Sequence, residues 1–253
     1  MTHRFILAID QGTTGSRAIV YDHKGKIHST AYQEFKQYYP RPGWVEHDAR
    51  EIITSVRNVI ESTLARGRLR GRQIAAIGIT NQRETTVLWE RKSGKPVGRA
   101  IVWQDRRTDE FCKKLRRRGL EPLIRRKTGL VLDPYFSGSK LGWIFDHHAS
   151  TKRRARSGAL AFGTIDSWLL FRLSGGSAHA TDFTNASRTL LFDLRKKAWD
   201  SELCRIFGVP EAVLPEVKSS NALFAKIYSP LIRLRNQDLR HRSLLRVRIP
   251  LEL

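Results

Sequence analysis

The sequence predicts an α/β fold, a mixed sheet with helices packed on it, and three observations carry that expectation. Residues 5–35 read as three short apolar strands joined by tight turns, residues 48–66 carry apolar side chains at helical spacing, and residues 73–80 return as an apolar strand. A strand meander followed by a helix and a further strand is the order from which a mixed sheet is built.

The first strand, 5–10, ends on Asp10, and the loop QGTTG separates it from a second at 16–22. A turn at HKGK leads to the third, 26–35. Asp48 can cap the helix that follows. Ile52, Ile53, Val56, Val59, Ile60 and Thr63 give that helix one buried stripe, and Gly67 stops it. After the strand at 73–80 come strands at 85–90 and 97–103, joined through KSGKP. Helices at 105–118, stopped by Gly119, at 139–148 and at 164–173 make the middle of the chain mostly helical. The last 25 residues, SPLIRLRNQDLRHRSLLRVRIPLEL, differ in character, with six Arg, seven Leu and no Gly, and no helical or strand period persists in them.

The 253 residues suffice for one large domain or two modest ones with a substantial core. No apolar run approaches the ~18 to 20 residues that cross a bilayer, and the N-terminus lacks a long apolar segment followed by a small-residue cleavage site, so the chain reads as cytoplasmic. Cys112 and Cys204 are too few for a disulfide framework or a four-ligand zinc site and read as reduced bystanders. The formal charge of +22 raises a nucleic-acid partner. Against it, the Arg and Lys runs at 113–118, 125–127 and 152–156 read as solvated helix faces with no nucleic-acid module around them. A basic surface also steers anionic substrates. His47, His147 and His148 lack partners at metal spacing and read as capping or surface residues.

The loop after Asp10 is the stretch richest in chemistry. A phosphate group needs converging donors with no side chains in the way. Gly12 and Gly15 allow the backbone to turn its N–H groups inward, and Thr13 and Thr14 add two hydroxyls. Asp10 offers a hard oxygen ligand for magnesium, directly or through water, and Arg17 can offset further negative charge. Taken alone, a Gly-rich hairpin turn would serve geometry only.

The wider string decides between these readings. D-Q-G-T-T between two apolar strands resembles the first phosphate-binding loop of the sugar and polyol kinases. YPRPGWVEHD (39–48), IAAIGITNQRETT (74–86), AIVWQDRRT (100–108), TGLVLDPYFSGSK (128–140) and TDFTNASRTLLF (181–192) are similar to segments of the glycerol kinases of the FGGY carbohydrate kinase family. The resemblance runs, in order, from about residue 5 to 222. It implies a ribonuclease-H-like, actin-like ATPase domain with an inserted helical region, spanning 1–228, followed by an aberrant basic tail at 229–253, disordered or out of frame. It also implies a second lobe that this chain does not contain.

A pocket for a small triol needs a cationic donor beside an anionic acceptor, and Arg83 and Glu84 are such a pair. Neighbours in an extended chain point opposite ways, so both can face a ligand only if the backbone turns at Asn81 and Gln82. The resemblance implies glycerol contacts from Arg83, Glu84 and Tyr135, with Trp103 as an apolar wall. It implies ATP as co-substrate with Mg2+, and phosphate contacts from Gly12, Thr13, Thr14, Gly15 and Arg17. The implied reaction is ATP-dependent phosphorylation of glycerol to sn-glycerol 3-phosphate.

The family's catalytic Asp lies in a G-D-Q-Q segment past the end of the resemblance, so no residue here is assigned as base, Asp238 included. Little or no kinase activity is expected of the chain alone. Gly15 stands where the family usually carries Ser, removing one hydroxyl donor to phosphate. Asp182 and Asn185 match the family string, but sequence leaves open whether they support the fold or touch ligand. The alternatives are a non-catalytic polyol-binding protein, a basic nucleic-acid-binding protein, and one half of a split kinase whose other lobe is a separate chain. A homo-oligomer is also open.

Overall fold

The computed structural model describes residues 5–228 and 244–248. The chain begins with the expected meander: β1 (Phe5–Gln11), β2 (Gly15–Tyr21) and β3 (Ile27–Glu34), each antiparallel to the next. A short strand, β4 (Glu46–His47), precedes α1 (Ala49–Arg66). The Asp48 carboxylate caps α1 by accepting from the Arg50 N–H, and Gly67 ends it by donating to Thr63 and Ala65 carbonyls. The chain returns as β5 (Ile74–Asn81), parallel to β1, then as β6 (Val87–Glu90) and β7 (Ala100–Ile101).

The inserted region contributes α2 (Asp109–Arg117), α3 (Glu121–Thr128), α4 (Ser137–His147) and α5 (Ala149–Arg156). Beyond it lie β8 (Leu160–Gly163), α6 (Ile165–Leu173), β9 (Ala180–Asp182), α7 (Phe183–Ala186), β10 (Phe192–Asp193), β11 (Ala198–Trp199), α8 (Ser201–Phe207), β12 (Glu216–Lys218) and β13 (Ala225–Tyr228). The strand β14 (Leu244–Arg248) completes a six-stranded sheet in the order β13, β14, β5, β1, β2, β3.

Two cores hold these elements. The alternating inward residues of the sheet, Leu7, Ile9, Val20, Ile77 and Ile79, pack on the stripe of α1 and on α6, where Trp168 donates to the Ala49 carbonyl at 2.8 Å. A second cluster, including Leu115, Ile124, Leu141, Phe145, Leu203 and Phe207, binds the inserted helices together. Both cysteines are buried free thiols, and burial pushes them up to about 12, so neither is a ready nucleophile. The basic runs fall on α2, α3 and α5.

Three expectations change. The strand at 97–103 shrinks to β7, and the helix at 105–118 starts only at Asp109. Asp105 explains the delay: its carboxylate accepts from the Val45 and Arg107 N–H groups and ion-pairs with the Arg107 guanidinium, which fixes a loop where the helix would begin. Within the tail read as aberrant, Leu244–Arg248 is a strand parallel to β5 and antiparallel to β13. The edge of β5 left over by β1 offers an unpaired ladder that these residues satisfy; 229–243 and 249–253 lie outside the described residues.

Candidate functional site

The C-terminal ends of β1 and β5 lie side by side, Asp10 opposite Thr80 and Gln11 opposite Asn81. The phosphate-loop candidates and the Arg83–Glu84 pair therefore leave the sheet at the same edge. Gln82 ties them together: its N–H donates to the Gln11 carbonyl at 2.7 Å, and its amide Nε2 donates to Gln11 Oε1 at 3.1 Å and to the Gly12 carbonyl at 3.2 Å.

The loop itself is a tight turn closed by the Gly12 N–H on the Gly15 carbonyl at 2.9 Å, with Thr13 and Thr14 at its tip. Neither glycine adopts the left-handed conformation. At Gly15 the constraint is instead close approach, since a Cβ there would sit 2.5 Å from the Tyr32 hydroxyl and the half-exposed ring would have to move. Arg17, opposite Asp10 on β2, is exposed and lies 5.6 Å over the Tyr32 ring. Asp10 is also exposed. Among the described residues no group of three or more His, Cys, Asp or Glu side chains is placed to hold a metal ion. A single exposed carboxylate beside a candidate phosphate loop has the donor chemistry for magnesium, which keeps most of its waters and takes its other ligands from phosphate oxygens.

The backbone turn that frees Arg83 and Glu84 lies two residues later than the expected turn at Asn81 and Gln82. It centres on Glu84, whose φ is +61° and whose flanking residues close a three-residue turn, the Thr85 N–H donating to the Arg83 carbonyl at 2.7 Å. A non-glycine residue held in this region marks a strained position that its surroundings must enforce. They do: Ser137 Oγ donates to the Glu84 carbonyl at 2.9 Å, and the Glu84 carboxylate, 2% exposed, ion-pairs with the Arg188 guanidinium. Burial raises the Glu84 pKa, and the charges of Arg188 and Arg83 oppose that rise.

Arg188 is the principal residue that sequence reasoning missed. It pairs with Glu84 through Nε while its guanidinium lies 5.4 Å over Tyr135 and 4.9 Å over Phe136. Its signal was present in the quoted segment TDFTNASRTLLF. That segment is brought close by Gly138, whose N–H donates to the Thr189 carbonyl at 2.7 Å and where a Cβ would meet the same oxygen at 2.7 Å.

Tyr135 and Trp103 stack 5.4 Å apart in a tilted pair. The Trp103 indole N–H is committed to Thr13 Oγ1 at 3.0 Å, so Trp103 has a polar role beyond that of an apolar wall. Lys140, fully buried, donates to the carbonyls of Pro134 and Tyr135 at 2.6 Å and Phe136 at 3.3 Å and so fixes the segment bearing Tyr135. Burial lowers its pKa to about 7 against the raising effect of Asp105, Glu84 and Asp133.

His47 corrects a further expectation. It is fully buried and bridges Gln37 Oε1 at 2.5 Å and Gln82 Nε2 at 3.3 Å, while Gln37 Nε2 donates to the Thr13 carbonyl at 3.0 Å. Asp182 and Asn185 act as scaffold. Asp182 caps α7 and accepts from the Asn185 amide at 2.9 Å, and Asn185 Oδ1 accepts from Asn81 Nδ2 at 3.1 Å, pinning the end of β5.

The chain matches the N-terminal domain of the FGGY family of carbohydrate kinases over residues 5–235. It is 54% identical over 229 residues to the glycerol kinase of Oceanobacillus iheyensis, covering 90% of this chain and 46% of that one. It is 56% identical over 220 residues to the glycerol kinase of Brucella ovis, covering 87% and 44% respectively. The structure superposes on the crystal structure of Plasmodium falciparum glycerol kinase with ADP at a TM-score of 0.87 and 33% identity, over 97% of this chain and 48% of that chain. The chain spans about half the length of the curated relatives it matches.

Proposed function

This chain belongs to the FGGY family of carbohydrate kinases, and on that footing we propose that it carries the phosphate loop and polyol pocket of a glycerol kinase. The observation that supports this most is the continuous line of contacts Glu84, Arg188, Tyr135, Trp103, Thr13, which joins the alcohol side of the site to the phosphate side. In this reading Arg83 donates to glycerol hydroxyl oxygens and Glu84 accepts from their hydrogens through the oxygen that Arg188 leaves free. Tyr135 and Trp103 close the carbon face.

On the other side, Thr13, Thr14, Gly15 and Arg17 receive the phosphate end of ATP, while Gly12, its N–H donated to the Gly15 carbonyl, shapes the turn that presents them. Thr13 accepts from Trp103 and keeps its own hydroxyl hydrogen for a phosphate oxygen. Asp10 holds the magnesium ion, which when bound neutralises charge on the phosphoryl group. The reaction served is in-line transfer of that group to a terminal glycerol hydroxyl. We assign no catalytic base to this chain.

Calorimetric titration of the purified chain with glycerol tests the reading. Saturable binding that is lost in Glu84→Ala, with no turnover in a coupled assay containing ATP, magnesium and glycerol, is the expected result. Absence of glycerol binding by the folded chain would overturn it, and turnover near that of a full-length kinase would overturn the unassigned base.

A further inference from the structure

A second concave site lies away from the phosphate loop, between α1, the turn after β6 and the end of α6. It encloses about 310 Å3 and is lined by Arg57, Lys92, Ser93, Gly94, Arg172 and Gly176 among others, with cationic side chains and no carboxylate in its lining. The Nε of Arg57 is buried and has no hydrogen-bond partner among the described residues. Arg172 spends one N–H on the Gly94 carbonyl at 3.2 Å and lies 5.0 Å over the Trp168 ring, which leaves further donors on its guanidinium. Burial lowers the Arg172 pKa, and the neighbouring charges of Arg57 and Arg50 lower it further. Like charges gathered round a cavity, one of them with an unanswered buried donor, are a costly arrangement that an anion would relieve.

We propose that this cavity binds a phosphorylated small molecule through its phosphoryl group, held by Arg57 and Arg172 with Lys92 at the rim. A tetrahedral dianion offers several acceptor oxygens, which suits two guanidinium forks better than a single carboxylate does. The volume exceeds that of inorganic phosphate alone and falls at the lower end of the roughly 300–1,000 Å3 typical of small-molecule pockets. Its short outline, bounded by α1, the turn after β6 and the end of α6, favours a small ligand over a nucleic-acid backbone, which would need an extended basic track.

The test uses the whole chain carrying Thr13→Ala and Thr14→Ala, so that the phosphate loop is weakened, titrated with pyrophosphate by calorimetry at fixed salt. One binding event that weakens by about tenfold or more in Arg57→Gln/Arg172→Gln is expected, from the loss of charge-assisted hydrogen bonds. Lys92 is exposed, so Lys92→Gln leaves folding intact and is expected to weaken binding about threefold through lost charge at the rim; it decides the matter should the double variant misfold. No pyrophosphate binding by the loop variant, or binding unchanged in both cavity variants, would overturn the proposal. Pyrophosphate displaced by duplex DNA with several chains per duplex would overturn it too, in favour of a nucleic-acid surface. None of these outcomes depends on whether the chain binds glycerol.

Discussion

The Trp103 indole N–H donates to the Thr13 hydroxyl at 3.0 Å, linking the loop between β1 and β2 to the segment after β7. One hydrogen bond thus couples the two halves of the candidate site. Trp103→Phe keeps an apolar wall and removes the donor. Glycerol affinity measured by titration is expected to stay within about twofold, while affinity for the magnesium complex of ADP falls about fivefold, the equivalent of one ordinary hydrogen bond.

Arg188 is the cation that opposes the burial-driven rise of the Glu84 pKa. Arg188→Met leaves that carboxylate buried without its closest cation and is expected to destabilise the chain by about 2 to 3 kcal/mol in urea unfolding, since Arg188 is only partly exposed. Adding Glu84→Gln should restore part of that loss, because the charge left unpaired is then gone. Equal and additive losses in the two single variants would contradict the pairing.

Lys140 acts on Tyr135 through the backbone. Lys140→Met leaves the Pro134, Tyr135 and Phe136 carbonyls without their shared donor, and about 2 kcal/mol of stability is expected to go with it. Glycerol affinity should fall as well, because the segment positioning the phenol loosens. An unchanged affinity in a folded Lys140→Met chain would show that Tyr135 is held in some other way.

Tyr32 stands where a side chain at position 15 would point. Gly15→Ser is expected to cost about 1 kcal/mol in the parent, where the half-exposed ring must swing aside, and close to nothing in a Tyr32→Ala background. A thermal-melt double-mutant cycle measures the coupling. An uncoupled cycle would mean that the two positions do not share space.

His47 links the loop to the turn and also to pH. Burial holds its imidazole down at about 4 against the usual 6.5, so the folded chain keeps it neutral while the unfolded chain would take up a proton. Its contribution is therefore full above pH 6.5 and is lost as the pH falls toward 4, up to about 3 kcal/mol. His179, likewise lowered to about 4 by burial, adds a loss in the same window. His47→Gln should flatten the fall in urea midpoint between pH 6.5 and 4, and an unaltered slope would argue against a buried neutral His47.

Local pattern was enough for the meander β1 to β3, for α1 with its Asp48 cap and Gly67 stop, and for β5, because period and capping chemistry are properties of neighbouring residues. The same local reading singled out Asp10, the loop at 12–15 and the Arg83–Glu84 pair as candidates. It failed at α3, α5, β8 and α8, which are short elements stabilised by the second core, and at Asp105, whose bond to Val45, 60 residues away, no window of sequence contains.

By itself, then, the sequence determined the family, the order of the main elements and the residue types proposed to grip phosphate and polyol. Only the tertiary structure decided which of them meet. Arg188 lies 104 residues from Glu84 and Trp103 lies 90 from Thr13, and such pairs form because two cores pack independent elements together, an outcome that local propensity and spacing do not encode.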